Sequence, residues 1–349
     1  MQSSLTEYSE TKRIEYIDAL RGFTMLLVVM AHVCHYSFHT ESAMLGFFSV
    51  FRMPLFFTIS GFVLYKPQMA FNGTDTWAFI KKKFRIQIIP TFIFFVLFEW
   101  LCRHDFIGGI FSGAKHGYWF TLALFYYFVI YAIIKHLCFR VKSTNVAENA
   151  ILITTGIILY VLPKFLHVFF RFDSATEDPF SISELCYFIF FALGVLIRKH
   201  YRTFTTFLNN PIFLTTIICV TILGYFVYAK YHFPEAVKFI FFFILRTSGI
   251  IMAIAFFFRH EGSFSSTTRL GRVFQFIGKR TLDIYLLHYF FLPRGMQTLI
   301  SSLNINSMPV IYFLIVFLTA ALVMAFCLAT SSLLRTSPAL ARWLFGAKK

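Results

Sequence analysis

Long, uninterrupted apolar runs recur along the whole chain, and they limit its fold more than any other feature. Runs such as "PTFIFFVLFEWLC" and "VIYFLIVFLTAALVMAFCLA" approach the roughly 20 residues that a helix needs to cross a bilayer. A transmembrane β-barrel would instead need segments of about ten residues in which apolar and polar residues alternate. Because these runs are continuous, the sequence predicts an all-α, polytopic integral membrane protein.

The apolar runs predict about ten transmembrane helices. They lie at 17–38, 44–65, 86–102, 118–139, 149–170, 184–198, 209–229, 236–258, 274–293 and 309–334. The connections between them are mostly short and contain no Gly/Ser-rich linker. The sequence therefore predicts a single transmembrane domain over residues 1–349, with no appended soluble domain.

The basic residues predict the orientation of the helices in the membrane. With the N-terminus in the cytoplasm, 22 of the 32 lysines and arginines lie on the cytoplasmic side and 7 on the other, while Arg21, Arg52 and Arg246 lie within spans. This bias predicts that both termini are cytoplasmic. The net charge of +16 therefore reflects topology, and no nucleic-acid partner is expected. The six cysteines show no C-x-x-C spacing, so no metal site is expected.

The first helix carries ionisable residues, Arg21 and His32, in a stretch otherwise suited to lipid. Eleven residues of α-helix turn through about 1100°, so both side chains project from one face, roughly 16 Å apart along the axis. Arg21 would lie at the cytoplasmic mouth, with His32 at least half-way across and His35 one turn beyond. Such groups are functional candidates. The alternative is that Arg21 reaches lipid phosphates while His32 bonds to a neighbouring helix.

A second helix places Arg52 roughly 12 Å from its outer end, a depth similar to that of His32. Pro54 lacks an N–H group and frees backbone carbonyls, which at membrane depth must face protein or a wet cavity. Arg52 is therefore a candidate to contact a substrate. A structural ion pair with Glu99 is the alternative.

Six segments in order resemble one family, the acyltransferase-3 superfamily of integral membrane carbohydrate O-acyltransferases. They are "YIDALRGFTMLLVVMAH", "FRMPLFFTISGF", "FIKKKFRIQIIP", "YWFTLALFYY", "FIFFALGVLIRK" and "IGKRTLDIYLLH". The pair Arg21 and His32 matches the family's Arg-x10-His hallmark, and together the segments cover residues 16 to 288. Lys82 stands where the family often has the first of two arginines, with Arg85 as the second. Lysine keeps the charge but loses the forked geometry. Position 52 is variable in the family, so the resemblance gives Arg52 no role.

The resemblance implies an enzyme that moves an acyl group, usually acetyl, from cytoplasmic acyl-CoA to a hydroxyl group. The acceptor would be a cell-surface polysaccharide or a lipid-linked sugar, and the location a bacterial plasma membrane with the product in the cell envelope. Acetyl-CoA is thus the expected donor substrate, and a carbohydrate or glycolipid the acceptor. His32 would act as general base or as a transient acyl carrier.

Further residues are assigned supporting roles by position and motif. Arg85, Lys82 and Arg280 are candidates to bind CoA phosphates, although positive-inside topology alone explains much basic charge at that face. The candidates for the acceptor side or for support are Arg52, Trp119, Tyr285, His288, Asp283 and His35. Trp119 fits an interfacial aromatic belt equally well. Asp283 either orients a histidine or balances Arg280.

Two other functions are compatible with ionisable residues in membrane helices. A transporter or flippase of a lipid-linked saccharide would also line a path with such groups, but the sequence shows no internal repeat. A non-catalytic scaffold would not need such costly groups. The acceptor sugar, the acyl chain and the oligomeric state are left open by the sequence.

Overall fold

The computed structural model of the chain describes residues 13–39, 43–67, 71–170, 178, 180–302 and 308–347. Every regular element in these ranges is helical. The α-helices are α1 Glu15–His32, α2 Ala43–Ser49, α3 Arg52–Leu64, α4 Gly73–Lys83, α5 Ile89–Phe98, α6 Phe106–Phe111, α7 Trp119–Arg140, α8 Asn145–Phe170, α9 Phe188–Lys199, α10 Tyr201–Asn209, α11 Pro211–Lys230, α12 Glu235–Arg259, α13 Arg269–Lys279, α14 Thr281–Phe291, α15 Met296–Ser302, α16 Pro309–Leu334 and α17 Pro338–Phe345.

Shorter helical segments of other types adjoin these α-helices. Within the described ranges, three are π-helical: Val33–Phe38, Phe84–Ile88 and Glu99–Arg103. Two are 3₁₀-helical: Lys115–Gly117 and Ile182–Tyr187. The first π segment directly follows His32, and the second contains Arg85. Single π turns inside α-helices occur frequently at functional sites.

Among the described residues, seven helices are long and apolar enough to cross a membrane. They are Glu15–Phe38, Gly73–Arg103, Trp119–Arg140, Asn145–Leu166, Pro211–Lys230, Glu235–Arg259 and Pro309–Leu334. Each corresponds to one of the ten predicted segments, so the class of multi-pass helical membrane protein is confirmed. The count of ten spans and the cytoplasmic location of both termini stay predictions.

The three remaining predicted segments are shorter or broken. The segment 44–65 is divided into α2 and α3 by a turn at Val50 and Phe51. Pro54 lies in the first turn of α3 and has no N–H group to bond the carbonyl of Val50, so the α-helix begins only at Arg52. The carbonyl that Pro54 leaves without its helical N–H partner is therefore that of Val50, in the turn before α3.

The other two segments differ for separate reasons. The segment 274–293 is divided at Arg280, whose backbone (φ −112°, ψ 19°) ends α13 and precedes α14. The segment 184–198 consists of the 3₁₀ segment Ile182–Tyr187 followed by the 12-residue helix α9. Neither forms one helix of membrane-spanning length.

The chain folds into two compact units. The first comprises the described residues of Met1–Ile59 and Ile197–Leu328, and the second those of Ser60–Leu196 and Ala329–Lys349. The prediction of a single transmembrane domain stays a prediction.

The first unit is built around α1, which belongs to the most buried of the seven candidate spans, Glu15–Phe38. It packs closely on α13 where two glycines face each other. A Cβ atom on Gly22 would overlap the carbonyl oxygen of Phe274, and one on Gly278 would overlap that of Asp18. The absence of side chains at both positions lets the two backbones approach.

The second unit has an aromatic core in which α7 packs against α9 and α4. Tyr127 is fully buried, contacts the rings of Phe188 and Phe191, and donates its hydroxyl to the carbonyl oxygen of Glu184. In the loop before α7, Lys115 donates to the carbonyl oxygens of Ser112 (2.6 Å) and Asp178 (3.1 Å). Burial lowers the pKa of Lys115, an effect that the nearby Asp178 partly offsets.

Candidate active site

The first helix carries both members of the predicted Arg-His pair on one regular α-helix. Arg21 and His32 lie within α1, which runs without interruption from Glu15 to His32. The α-helical rotation and rise used for the sequence therefore apply, and the two side chains share a face about 16 Å apart. Both are half-buried.

The helix changes type directly after His32. Val33–Phe38 is π-helical, and it ends at His39 in a left-handed conformation (φ 51°). His35 is exposed, and its ring meets that of Tyr36 edge-on at 4.7 Å between centroids. His35 thus does not lie one α-helical turn beyond His32, because the π turn alters the register.

Helix α14 brings a tyrosine and a second histidine against His32. The Tyr289 hydroxyl lies 3.2 Å from Nε2 of His32. The rings of His288 and Tyr289 each lie 5.1 Å from the His32 ring, measured between centroids. His32 is more than 250 positions from His288 and Tyr289 in the chain. The three residues form an aromatic, hydrogen-bonded cluster in the first unit. His32 does bond a neighbouring helix, as the structural alternative expected, but it also lines a cavity.

The cavity lies where the end of α1, the π turn, α2 and the start of α3 meet, and its volume is about 490 Å³. Four of its lining residues are basic: His32, His35, His39 and Arg52. The other six are Ala31, Cys34, Tyr36, Leu45, Gly46 and Ser49. None of these ten described lining residues is acidic. The volume is in the range typical of sites for small molecules.

His288 is completely buried, and its hydrogen bonds fix its tautomer. Its Nδ1 lies 3.0 Å from the carbonyl oxygen of Ile284 and 2.8 Å from that of Tyr285. Both are acceptors only, so Nδ1 carries the hydrogen, and Nε2 of the neutral ring bears a lone pair. No hydrogen-bond partner reaches this buried Nε2 among the described residues.

Asp283 and Tyr285 occupy the same helix as His288. The carboxylate of Asp283 is buried and accepts a hydrogen bond from Arg280 at 3.1 Å. This is the simpler of the two predicted alternatives, in which Asp283 balances Arg280. Tyr285 is buried, with its ring 6.1 Å from that of His288.

The predicted residues Lys82, Arg85 and Trp119 belong to the second unit. Lys82 lies near the end of α4 and Arg85 in the π segment that follows, and both side chains are exposed. Trp119 begins α7 and stacks on Tyr187 at 6.3 Å between centroids. Glu99, suggested as a partner of Arg52, accepts a hydrogen bond from Nδ1 of His116 within this unit. The roles predicted for Lys82, Arg85 and Trp119 in binding CoA or the acceptor stay predictions.

Sequence reasoning did not identify Tyr289, Tyr36 or His39 as site residues. Tyr289 contacts His32 from a distant helix, and neither spacing nor charge indicates this. His39 was recognisable only as a third histidine near the end of the first helix. In the described part of the chain, no group of three or more His, Cys, Asp or Glu residues is placed to hold a metal ion.

The chain was compared with models of protein families, with curated proteins and with solved structures. A family model described as "Acyltransferase domain" matches residues 14–330, from the residue before α1 into α16. No curated protein and no solved structure matches the chain.

Proposed function

The chain belongs to the acyltransferase-3 family, and from that premise we propose that it transfers an acetyl group from cytoplasmic acetyl-CoA to a hydroxyl of a carbohydrate. The acceptor would be a cell-envelope polysaccharide or a lipid-linked sugar, and the enzyme would lie in a bacterial plasma membrane. The observation that carries the proposal is the position of His32. It lines a cavity of about 490 Å³ while its ring is held by Tyr289.

The reaction needs a base at the acceptor hydroxyl. His32 removes the hydroxyl proton as the oxygen attacks the thioester carbonyl carbon, and the carbon–sulfur bond then breaks. The leaving CoA thiolate takes up a proton, which the His32 imidazolium can supply. Histidine suits both steps because its ordinary pKa lies near neutrality. Tyr289 limits rotation of the ring, so the imidazole keeps a constant direction towards the cavity.

The cavity is suited to the acceptor rather than to the nucleotide. Its polar groups, Arg52, His35 and Ser49, can bond sugar hydroxyls or an acidic substituent. Arg52 offers a planar fork of donors for a carboxylate or phosphate. This gives Arg52 a role that the family resemblance did not supply.

The donor side is assigned to exposed basic residues. Arg85 offers a fork of donors and Lys82 a point charge, and both suit the phosphates of CoA. Arg280 is a weaker candidate, because its guanidinium is bonded to the buried Asp283. Arg21 lies on the same face of α1 as His32, and we assign it to the end of that face where acetyl-CoA binds.

The test is acetyl transfer by the purified protein in lipid vesicles. Radiolabelled acetyl-CoA is supplied, with envelope glycans and lipid-linked sugars from the expressing cells as acceptors. We expect His32→Ala to lower transfer by about 10²- to 10⁴-fold, the usual contribution of a general base. His232→Ala is the matched control, since His232 is exposed in the loop between α11 and α12. Normal transfer by His32→Ala would contradict the proposal.

The same preparation separates the remaining alternatives. If His32 carries the acyl group, labelled acetyl-CoA without acceptor will label the wild-type protein but not His32→Ala. If the protein is a flippase, no acetyl transfer will occur, and lipid-linked sugar will cross the vesicle membrane only when the protein is present. A mass difference of one acetyl in surface glycans, dependent on His32, identifies the acceptor.

A further inference from the structure

The imidazole of His288 has one nitrogen fully used and one available. Nδ1–H is shared between the carbonyl oxygens of Ile284 and Tyr285, at 3.0 and 2.8 Å. Nε2 therefore keeps its lone pair, and the side chain is 0% exposed to solvent. Leaving a buried polar atom without a partner destabilises a fold, because the atom has lost its bonds to water. Such atoms in native proteins call for an explanation.

The surroundings of His32 supply the explanation. The charged or ionisable groups that face it are His35 on its own chain segment, Arg52 from α3 and His288 from α14, with the tyrosines Tyr36 and Tyr289 in ring contact. None of them is a carboxylate. When His32 takes a proton, its new N–H group therefore meets no acidic partner among the described residues around it.

The geometry allows His288 to be that partner. The two ring centroids lie 5.1 Å apart, and the ring planes are inclined by 31°. Each ring nitrogen is about 1 Å from its centroid, so two imidazoles joined by an N–H···N bond of about 3 Å have centroids roughly 5 Å apart. The Tyr289 hydroxyl restrains the neutral ring, but protonated His32 has no lone pair to accept from it. A rotation of the protonated ring within its present position would thus form the bond without movement of the helices.

We propose that His288 is a positioning residue whose Nε2 accepts a hydrogen bond from His32 when His32 has taken the acceptor's proton. The inference rests on the proposed acyl transfer. The carbonyls of Ile284 and Tyr285 hold the tautomer of His288, so that the lone pair always points away from the backbone of α14. The present structure holds no such bond, and a bond that forms on proton transfer stabilises the transition state more than bound substrate.

The test compares two substitutions of similar shape. His288→Gln keeps an acceptor oxygen near the position of Nε2, whereas His288→Met fills similar space without one. We expect His288→Met to lower kcat by about 10- to 100-fold, the effect of one hydrogen bond to a charged group. The KM values for acetyl-CoA and acceptor should not change. His288→Gln should retain kcat within about threefold of wild type.

Several outcomes would overturn the inference. If both variants lose activity equally, the histidine ring is needed for packing; if neither does, the acceptor nitrogen has no role. In a His32→Ala background, His288→Met should cause no further loss, and an additive loss would contradict coupling through His32.

A second measurement does not depend on turnover. ¹⁵N NMR of histidine-labelled protein, with the His288→Gln variant to assign the signal, should show His288 as the Nδ1–H tautomer. An Nε2–H tautomer would overturn the inference even in an active enzyme. If wild-type protein transfers no acetyl group at all, the proposed function fails and the inference fails with it. If wild-type protein transfers acetyl but His288→Met and His288→Gln do not differ as expected, the inference fails and the proposed function stands.

Discussion

Replacing either glycine at the crossing of α1 and α13 by alanine should destabilise the first unit. A Cβ atom on Gly278 would overlap the carbonyl oxygen of Asp18 and lie 3.2 Å from the nitrogen of Gly22. A Cβ atom on Gly22 would overlap the carbonyl oxygen of Phe274 and lie 3.1 Å from the nitrogen of Gly278. The neighbouring atoms are all backbone, so no side chain can rotate away to relieve the overlap.

The size of the effect follows from these distances. Non-bonded atoms pack best at about 3.5–4.0 Å, so relief of the overlap with the carbonyl oxygen requires the helices to separate by more than about 1 Å, and packing along the crossing weakens. Overpacking of this kind costs about 1–3 kcal/mol. For each variant, we therefore expect a fall in the midpoint of thermal unfolding of about 2–12 °C.

Thermal unfolding in detergent can be followed with a thiol-reactive dye. Three cysteines are buried and become reactive when the protein unfolds: Cys34, Cys138 and Cys327. The control is Gly262→Ala, because no atom lies within 4 Å of a Cβ atom built at Gly262. We expect that control to unfold like wild type. Midpoints for Gly22→Ala and Gly278→Ala that match the Gly262→Ala midpoint would show that the close approach does not support the fold.

Two further predictions concern the cavity and the base. Arg52→Gln should raise the KM for the acceptor with little change in the KM for acetyl-CoA, because Arg52 lines the cavity, and Arg52→Lys should recover only part of the loss since lysine lacks the fork. An unchanged acceptor KM in both variants would remove Arg52 from the acceptor site. Tyr289→Phe should lower kcat by about 2- to 10-fold, the equivalent of one neutral hydrogen bond to His32. A kcat equal to that of wild type would show that Tyr289 does not hold the ring.

The helical class and much of the first helix could be predicted from the sequence because both depend on local physics. A continuous apolar run must satisfy its backbone within one helix when it lies in lipid, and seven such runs form long helices. The alignment of Arg21 with His32 required only the regular geometry of α1. The ion pair between Arg280 and Asp283 also follows from i,i+3 spacing on one helix.

The remainder of the site depends on tertiary packing that no local pattern specifies. The run at 274–293 is predicted as one segment, yet it breaks at Arg280, where α13 ends and α14 begins. Tyr289 meets His32 only because α14 packs beside α1. The tautomer of His288 follows from backbone carbonyls of its own helix, but its closeness to His32 does not.

The π-helical turn after His32 also affects how relatives of this chain should be aligned. Bonding from i to i+5 accommodates extra backbone within a helix that keeps its overall direction. A relative with an ordinary α-helix in this segment could match the Arg-x10-His spacing and still present a different residue where Val33–Phe38 presents His35. An ungapped alignment would then equate side chains on different faces. Roles assigned by counting residues from Arg21 hold as far as His32, and beyond it structural superposition must replace counting.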